Sequence, residues 1–161
     1  MDAKTLLHSW QCNIRVRRRL HFLAAKSYHR WNVWTSSIIV FLSSLNGGVG
    51  FFYSGTSMSQ EKSDDERITT SYIISSLNII IASISAVSQY CQFELKSAQH
   101  QHISEQFENL ERDIETTLLH DNITKDDMDS LKGIIHCLVE KAPIVPESVN
   151  DSPCPELLTN V

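Results

Sequence analysis

Seven histidines, four cysteines and nineteen carboxylates give this 161-residue chain the material for metal binding or acid–base chemistry, but their spacing assembles little of it. His100 and His102 are two apart, so on a helix they point about 200° away from each other and cannot easily share a metal. Both are read as solvated. His21 and His29 lie in a basic leader without a neighbouring carboxylate, and no role is assigned to them. Cys12, Cys91, Cys137 and Cys154 show no C-x-x-C or Cys/His ligand spacing, so reduced thiols are expected rather than disulfides or zinc. There is no paired-carboxylate, Ser/His/Asp or Cys/His grouping that stands out from chance, and the clustered carboxylates are placed on exposed helix faces. The expectation is a chain that is not an enzyme, with no metal and no cofactor. Gly47, Gly48 and Gly50 in GGVG lack the strand, lysine and hydroxyl of a phosphate loop.

The elements that must position these residues begin with two charge-free stretches, Trp31 to Gln60 and Ile68 to Phe93. A helix rising about 1.5 Å per residue needs roughly 20 apolar residues to cross a hydrocarbon core of about 30 Å. WNVWTSSIIVFLSSLNGGVGFFY (31–53) and ITTSYIISSLNIIIASISAVSQYCQF (68–93) both meet that length, with Trp31, Trp34, Tyr53, Tyr72 and Tyr90 near their ends, where amphipathic rings favour the headgroup layer. A net charge of -5 and a mildly negative mean hydropathy hide this, because polar ends dilute the two segments. Serine is abundant in both, so the alternative is a pair of buried core helices in a soluble bundle. Such helices seldom run this long without a charge, which favours a lipid bilayer as the partner.

Orientation follows from the basic residues. Lys4, Arg15, Arg17, Arg18, Arg19, Lys26 and Arg30 precede the first stretch against one acid, Asp2, whereas the 54–67 loop carries Glu61, Asp64, Asp65 and Glu66 against Lys62 and Arg67. The positive-inside rule places the N-terminal segment, and with two spans also the C-terminal one, in the cytosol. A leader of about 30 residues is too long for a cleaved signal peptide. Arg15, Arg17, Arg18 and Arg19 are read as this topology signal, with attraction to anionic headgroups of about 1 kcal/mol each. No nucleic-acid partner is expected. Cys91, at the inner end of the second stretch, is read as buried, with palmitoylation as the alternative. The sequons at Asn122 and Asn150 are read as accidental, and glycan on either would reverse the orientation.

Within the stretches, Asn46 is 16 residues after Arg30 and Asn78 is 16 before Glu94, so an antiparallel hairpin puts both amides at similar depth. An amide in hydrocarbon is costly unless bonded, and such interhelical bonds contribute about 0.6 to 2 kcal/mol. Asn46 and Asn78 are read first as glue for a hairpin or oligomer and second as a polar pore lining. Gly47, Gly48 and Gly50, with Ala82 and Ala86, supply small side chains that let helices approach, so a tight contact is expected there.

The cytosolic parts read as helical. Leu6, Leu7, Trp10 and Ile14, with Leu20 or Phe22, make 1–30 an amphipathic helix. Ile103, Phe107, Leu110, Ile114 and Leu118, spaced four, three, four and four, form a stripe on a 94–120 helix that continues from the second span. That stripe needs the N-terminal helix or another subunit as its partner. Thr124 caps a further helix over 124–142, with Met128, Leu131, Ile135, Leu138 and Ala142 on one face until Pro143 stops it. Residues 143–161 hold all four prolines and are expected to be extended or disordered, ending in Thr159-Asn160-Val161, which has the form of a PDZ ligand.

The arrangement RRRLHFLAAKSYHRWNVWTSSIIVFLSSLNGGVGFF, a short loop, and SLNIIIASISAVSQYCQFELKSAQHQHISEQFENLERDIETTL resembles the SLATT family of two-transmembrane effector domains over about residues 12 to 120. Its most specific part is AVSQYCQFELKSAQH, followed by Phe107 and LERDIE. The resemblance implies a membrane hairpin with packed cytosolic helices, homo-oligomerisation and a pore-forming role. Members of this type also occur in large DNA viruses. The basic run is denser than the family pattern, and the helix at Thr124 and the proline tail extend past the family core. The expected architecture is thus all-α, an integral membrane two-helix hairpin with an N-terminal amphipathic helix and long cytosolic C-terminal helices. The expected function is a pore-forming effector. The alternative is a structural or scaffolding component of a cellular or virion membrane, holding protein partners through its cytosolic helices or tail.

Overall fold

The computed structural model describes residues 3–56, 64–120 and 123–150, with side chains for 3–52, 68–120, 123–147 and 149. Among the described residues there is no strand, and five helices follow one another: α1 (Ala3–Thr56), α2 (Asp64–Cys91), α3 (Phe93–Leu119), α4 (Lys125–Lys141) and α5 (Glu147–Asn150). The protein is all-helical, with two long apolar helical stretches.

No glycine or proline interrupts α1 before Gly47, so the leader and the first apolar stretch form one helix of 54 residues. The division expected near residue 30 is therefore not a break in the backbone. The opposite holds at the end of α2. An unbroken continuation into α3 was expected, but Gln92 stands between them with φ at 50°. The left-handed conformation costs a non-glycine residue about 1–2 kcal/mol. The Gln92 N–H still donates to the carbonyls of Ser88 (3.2 Å) and Gln89 (3.3 Å), so the helix ends in a closed turn.

Two compact units result, one from residues 1–28 with 94–161 and one from 29–93. The first has a conventional core. Leu7 and Ile14 of α1 meet Ile103, Phe107, Leu110 and Ile114 of α3 and Leu131 and Leu138 of α4. Full burial of each such side chain contributes about 1.5–3 kcal/mol. The stripe on α3 is covered from within the chain, by α1 and α4; Leu118 is half-buried at its end, and Phe22 of α1 lies exposed.

Thr124 starts α4 through a capping box. Its Oγ1 accepts from the Asp127 N–H at 3.2 Å, and the Thr124 N–H donates to Asp127 Oδ2 at 3.0 Å. The helix stops at Lys141 because Ala142 takes an extended conformation (φ -67°, ψ 131°) ahead of Pro143. The tail is not wholly extended. Residues 147–150 form one helical turn and Val149 is buried, which corrects the expectation for that segment. Cys154, the Thr159 to Val161 terminus and Asn122 lie outside the described residues, as do the side chains of Tyr53 and Asn150.

The second unit pairs α1 from His29 with α2. Thr35 Oγ1 lies 3.4 Å from Ser88 Oγ, and Asn46 Nδ2 donates to Asn78 Oδ1 at 2.8 Å. The partners rise along α1 as they fall along α2, as in an antiparallel pair.

Candidate functional site

Stretches within Ala3–Phe52 and Ile68–Leu119 are long and apolar enough to be candidate membrane spans, and only 0 % and 6 % of their apolar windows are buried. Trp34 (63 % exposed), Phe41 (64 %), Phe51 (83 %) and Tyr90 (88 %) show how fully this unit presents large apolar side chains. Trp31 and Tyr72 are exposed as well, and the Trp31 ring stacks on Phe93 with centroids 6.5 Å apart. Large exposed apolar side chains thus occur along both helices of this unit. The abundant hydroxyls do not contradict an apolar setting. Ser44 donates to the Val40 carbonyl, Ser76 to Tyr72 and Ser83 to Ile79, each at 2.8 Å, so these polar groups are satisfied within their own helices.

The asparagine amides meet, and they do so asymmetrically. Asn46 Nδ2 is bonded to Asn78, while Asn46 Oδ1 is shielded from solvent without a hydrogen-bond partner, and Asn78 is on the exposed face. Among the described residues the close approach expected at the glycines is not made: a Cβ on Gly47, Gly48 or Gly50 would meet nothing within 4 Å. Ala82 and Ala86 likewise face outward. Gly47 and Gly48 are exposed, on turns of the helix away from Asn46, whereas Gly50 lies one turn beyond Asn46 on its own face.

In the first unit, structure departs further from expectation. Glu111, whose side chain is 7 % exposed, takes Arg15 Nε at 2.8 Å on Oε1 and Arg18 Nη1 at 3.1 Å from Oε2. The second contact is an ion pair without hydrogen-bond alignment, so Oε2 accepts no hydrogen bond. Arg15 also approaches Glu115 (3.8 Å), which accepts from Gln11 Nε2 at 2.8 Å. Hydrogen bonding and charge from Glu111 raise the Arg15 pKa further. Arg15 and Arg18 are engaged by Glu111 within the unit, whereas Arg17 and Arg19 make no such ion pair and are exposed. Among the carboxylates expected on exposed faces, Glu111 is buried, because it sits one turn beyond Phe107 on the packed side of α3.

The larger correction concerns histidine. His21 of α1 (3 % exposed) and His100 of α3 (2 %) are buried, with their Nδ1 atoms 2.9 Å apart. They form the middle of an aromatic column in which Tyr28 stacks on His100 (5.5 Å between centroids) and Phe107 on His21 (5.7 Å). Burial, then the proximity of His100 and Arg17, lowers the His21 pKa to about 4, and burial lowers that of His100. At neutral pH both rings are neutral, one donating Nδ1–H and the other accepting. His102 is exposed, as expected for a solvated ring. A signal for the buried pair existed. Leu7, Ile14, His21 and Tyr28 are spaced by seven, and His100 begins the three-four alternation of Ile103, Phe107, Leu110 and Ile114.

Among the described residues no group of three or more His, Cys, Asp or Glu side chains is arranged to hold a metal ion. Cys12 and Cys91 are half-buried free thiols and Cys137 is an exposed one. These features define an all-helical protein with two candidate membrane-spanning helices and a separately packed helical unit. Comparison with protein-family models, curated proteins and solved structures finds no match to this chain.

Proposed function

We propose that this chain is an integral membrane protein whose two apolar helices form a transmembrane hairpin that self-associates, with its N- and C-terminal segments in the cytosol. The observation that carries this reading is the exposure of large apolar side chains along the second unit among the described residues. Lipid, or lipid together with further copies, is the cover that this chemistry fits. Lys4, Arg15, Arg17, Arg18, Arg19, Lys26 and Arg30 precede the first apolar stretch and supply the positive-inside signal. The outward face of Gly47, Gly48, Ala82 and Ala86 suits close approach by another copy.

The resemblance to SLATT proteins extends the proposal to pore formation by such an assembly. A second reading, a non-conducting anchor for partner proteins in a cellular or viral membrane, is favoured by one feature. Asn46 and Asn78 bond to each other rather than presenting both amides to a shared lumen.

Ion or dye flux from liposomes reconstituted with the full chain separates the two readings, beside an Asn46→Leu, Asn78→Leu variant. Flux that the variant loses while still inserting supports a pore with a polar lining. Tight liposomes carrying stable inserted oligomers support the anchor. Release of the protein from the liposomes by alkaline carbonate refutes membrane insertion altogether.

A further inference from the structure

Interhelical contacts in the first unit are mostly of two kinds, apolar packing and the Arg15, Arg18 and Glu111 cluster. The His21 and His100 contact belongs to neither. It joins α1 to α3 across a sequence separation of 79 and is flanked by two hydroxyls that donate from α3 to backbone carbonyls of α1: Ser97 to Ala25 (3.0 Å) and Ser104 to Arg18 (3.3 Å). Two small buried residues, Ala24 and Ala25, let the helices approach at this level. A stiff, close contact of this kind tolerates little rearrangement.

We propose that His21 and His100 form a proton-operated latch between α1 and α3, closed when at most one proton is shared between the facing Nδ1 atoms and opened when both rings are cationic. The proton inventory explains the threshold. In the neutral pair one Nδ1–H donates and the other Nδ1 lone pair accepts. A first added proton goes to the outer Nε2 of the donating ring and leaves the bond intact. A second must occupy the accepting Nδ1, which sets two N–H groups and two positive charges against each other at 2.9 Å.

The surroundings oppose charging. On α1, Arg17 acts on His21 with the same sign, and the Tyr28 ring stacks on His100. On α3, Lys96 places its Nζ 5.8 Å from the centroid of the Tyr28 ring, and Glu111, one turn beyond Phe107, is engaged by Arg15 and Arg18. His21 protonates at about 4 when folded and at about 6.5 when released. The released state therefore binds more protons between those values, so the closed state is fully favoured above about pH 6.5, loses ground as pH falls toward 4, and loses no more below. The latch lies within the first unit and stands independently of whether the apolar helices conduct.

Histidine-selective ¹⁵N NMR of the full chain in lipid nanodiscs tests the idea without a substitution. The expected result is a coupling between two Nδ1 nuclei at pH 7.5 that disappears on acidification, from rings that titrate below the ordinary histidine range. Two uncoupled rings titrating near 6.5 would overturn it. Hydrogen exchange of α1 and α3 amides, corrected for intrinsic rates, reads the mechanical consequence in the same particles. Protection should fall between pH 7.5 and 4 by about 150-fold from His21 alone, one ring titrating at about 4 in place of 6.5, with the lowered His100 adding to it. In His21→Phe, His100→Phe, which keeps four stacked rings, that fall should shrink at least tenfold. An equal loss of protection in the variant would assign the acid response to other groups and overturn the latch.

Discussion

Replacing Arg15 and Arg18 together by methionine isolates what holds a carboxylate inside the first unit. Glu111 is 7 % exposed and cannot reach water without unpacking α3, whereas Arg15 and Arg18 are 50 % and 36 % exposed and can turn outward. Removing the arginines leaves a buried anion uncompensated, a loss of about 3–5 kcal/mol for a fully buried pair. The two exposed guanidiniums are screened by solvent, so the lower end, about 3 kcal/mol, applies here. That corresponds to roughly a 150-fold rise in the population of open α1–α3 contacts. The reverse substitution, Glu111→Met, leaves two solvated arginines and an apolar side chain beside Phe107, and should change stability by less than about 1 kcal/mol. Hydrogen exchange of α3 amides at pH 7.5, on the full chain in nanodiscs, reads both. The triple variant should recover the stability lost in the double. A double arginine variant as stable as the parent, or a Glu111→Met variant destabilised as much as the double, would refute the asymmetry on which this rests.

Phe107→Ala should cost about 3–5 kcal/mol, because Phe107 is wholly buried at the meeting of the apolar cluster and the histidine column, and urea titration followed by α3 exchange would show it. Thr124→Ala should cost about 1 kcal/mol and fray the first turn of α4, visible as faster exchange of the Asp127 and Met128 amides. The same cap should weaken in acid: hydrogen bonds from Thr124 lower the Asp127 pKa, so the contribution is present at neutral pH and lost as pH falls through the folded value.

Much of the helical framework is legible in residue order. Two long stretches without a charge, a three-four apolar alternation from Ile103 to Leu118 and a capping threonine at 124 each act through neighbours a few residues away, so local spacing carries them. Chain breaks were less legible. Nothing in the identity of Gln92 announces a left-handed residue, since glutamine has no preference for that conformation.

The polar chemistry depends on what lies across the helix interface. Periodicity places His21 and His100 on inward faces, but only the register of α1 against α3 decides that two Nδ1 atoms face each other at 2.9 Å. The same register takes Arg15 and Arg18 from a run of basic residues and sets them on Glu111. In the second unit the pairing of α1 with α2 likewise decides that Asn46 reaches Asn78. The sequence by itself determined which segments are helical and which side chains are apolar, because backbone hydrogen bonding and hydrophobic periodicity are local. The tertiary structure alone decided which polar groups pair, because a hydrogen bond or ion pair needs two atoms within about 3 Å, and residues 79 to 104 apart in sequence are brought that close only by the packing of whole helices.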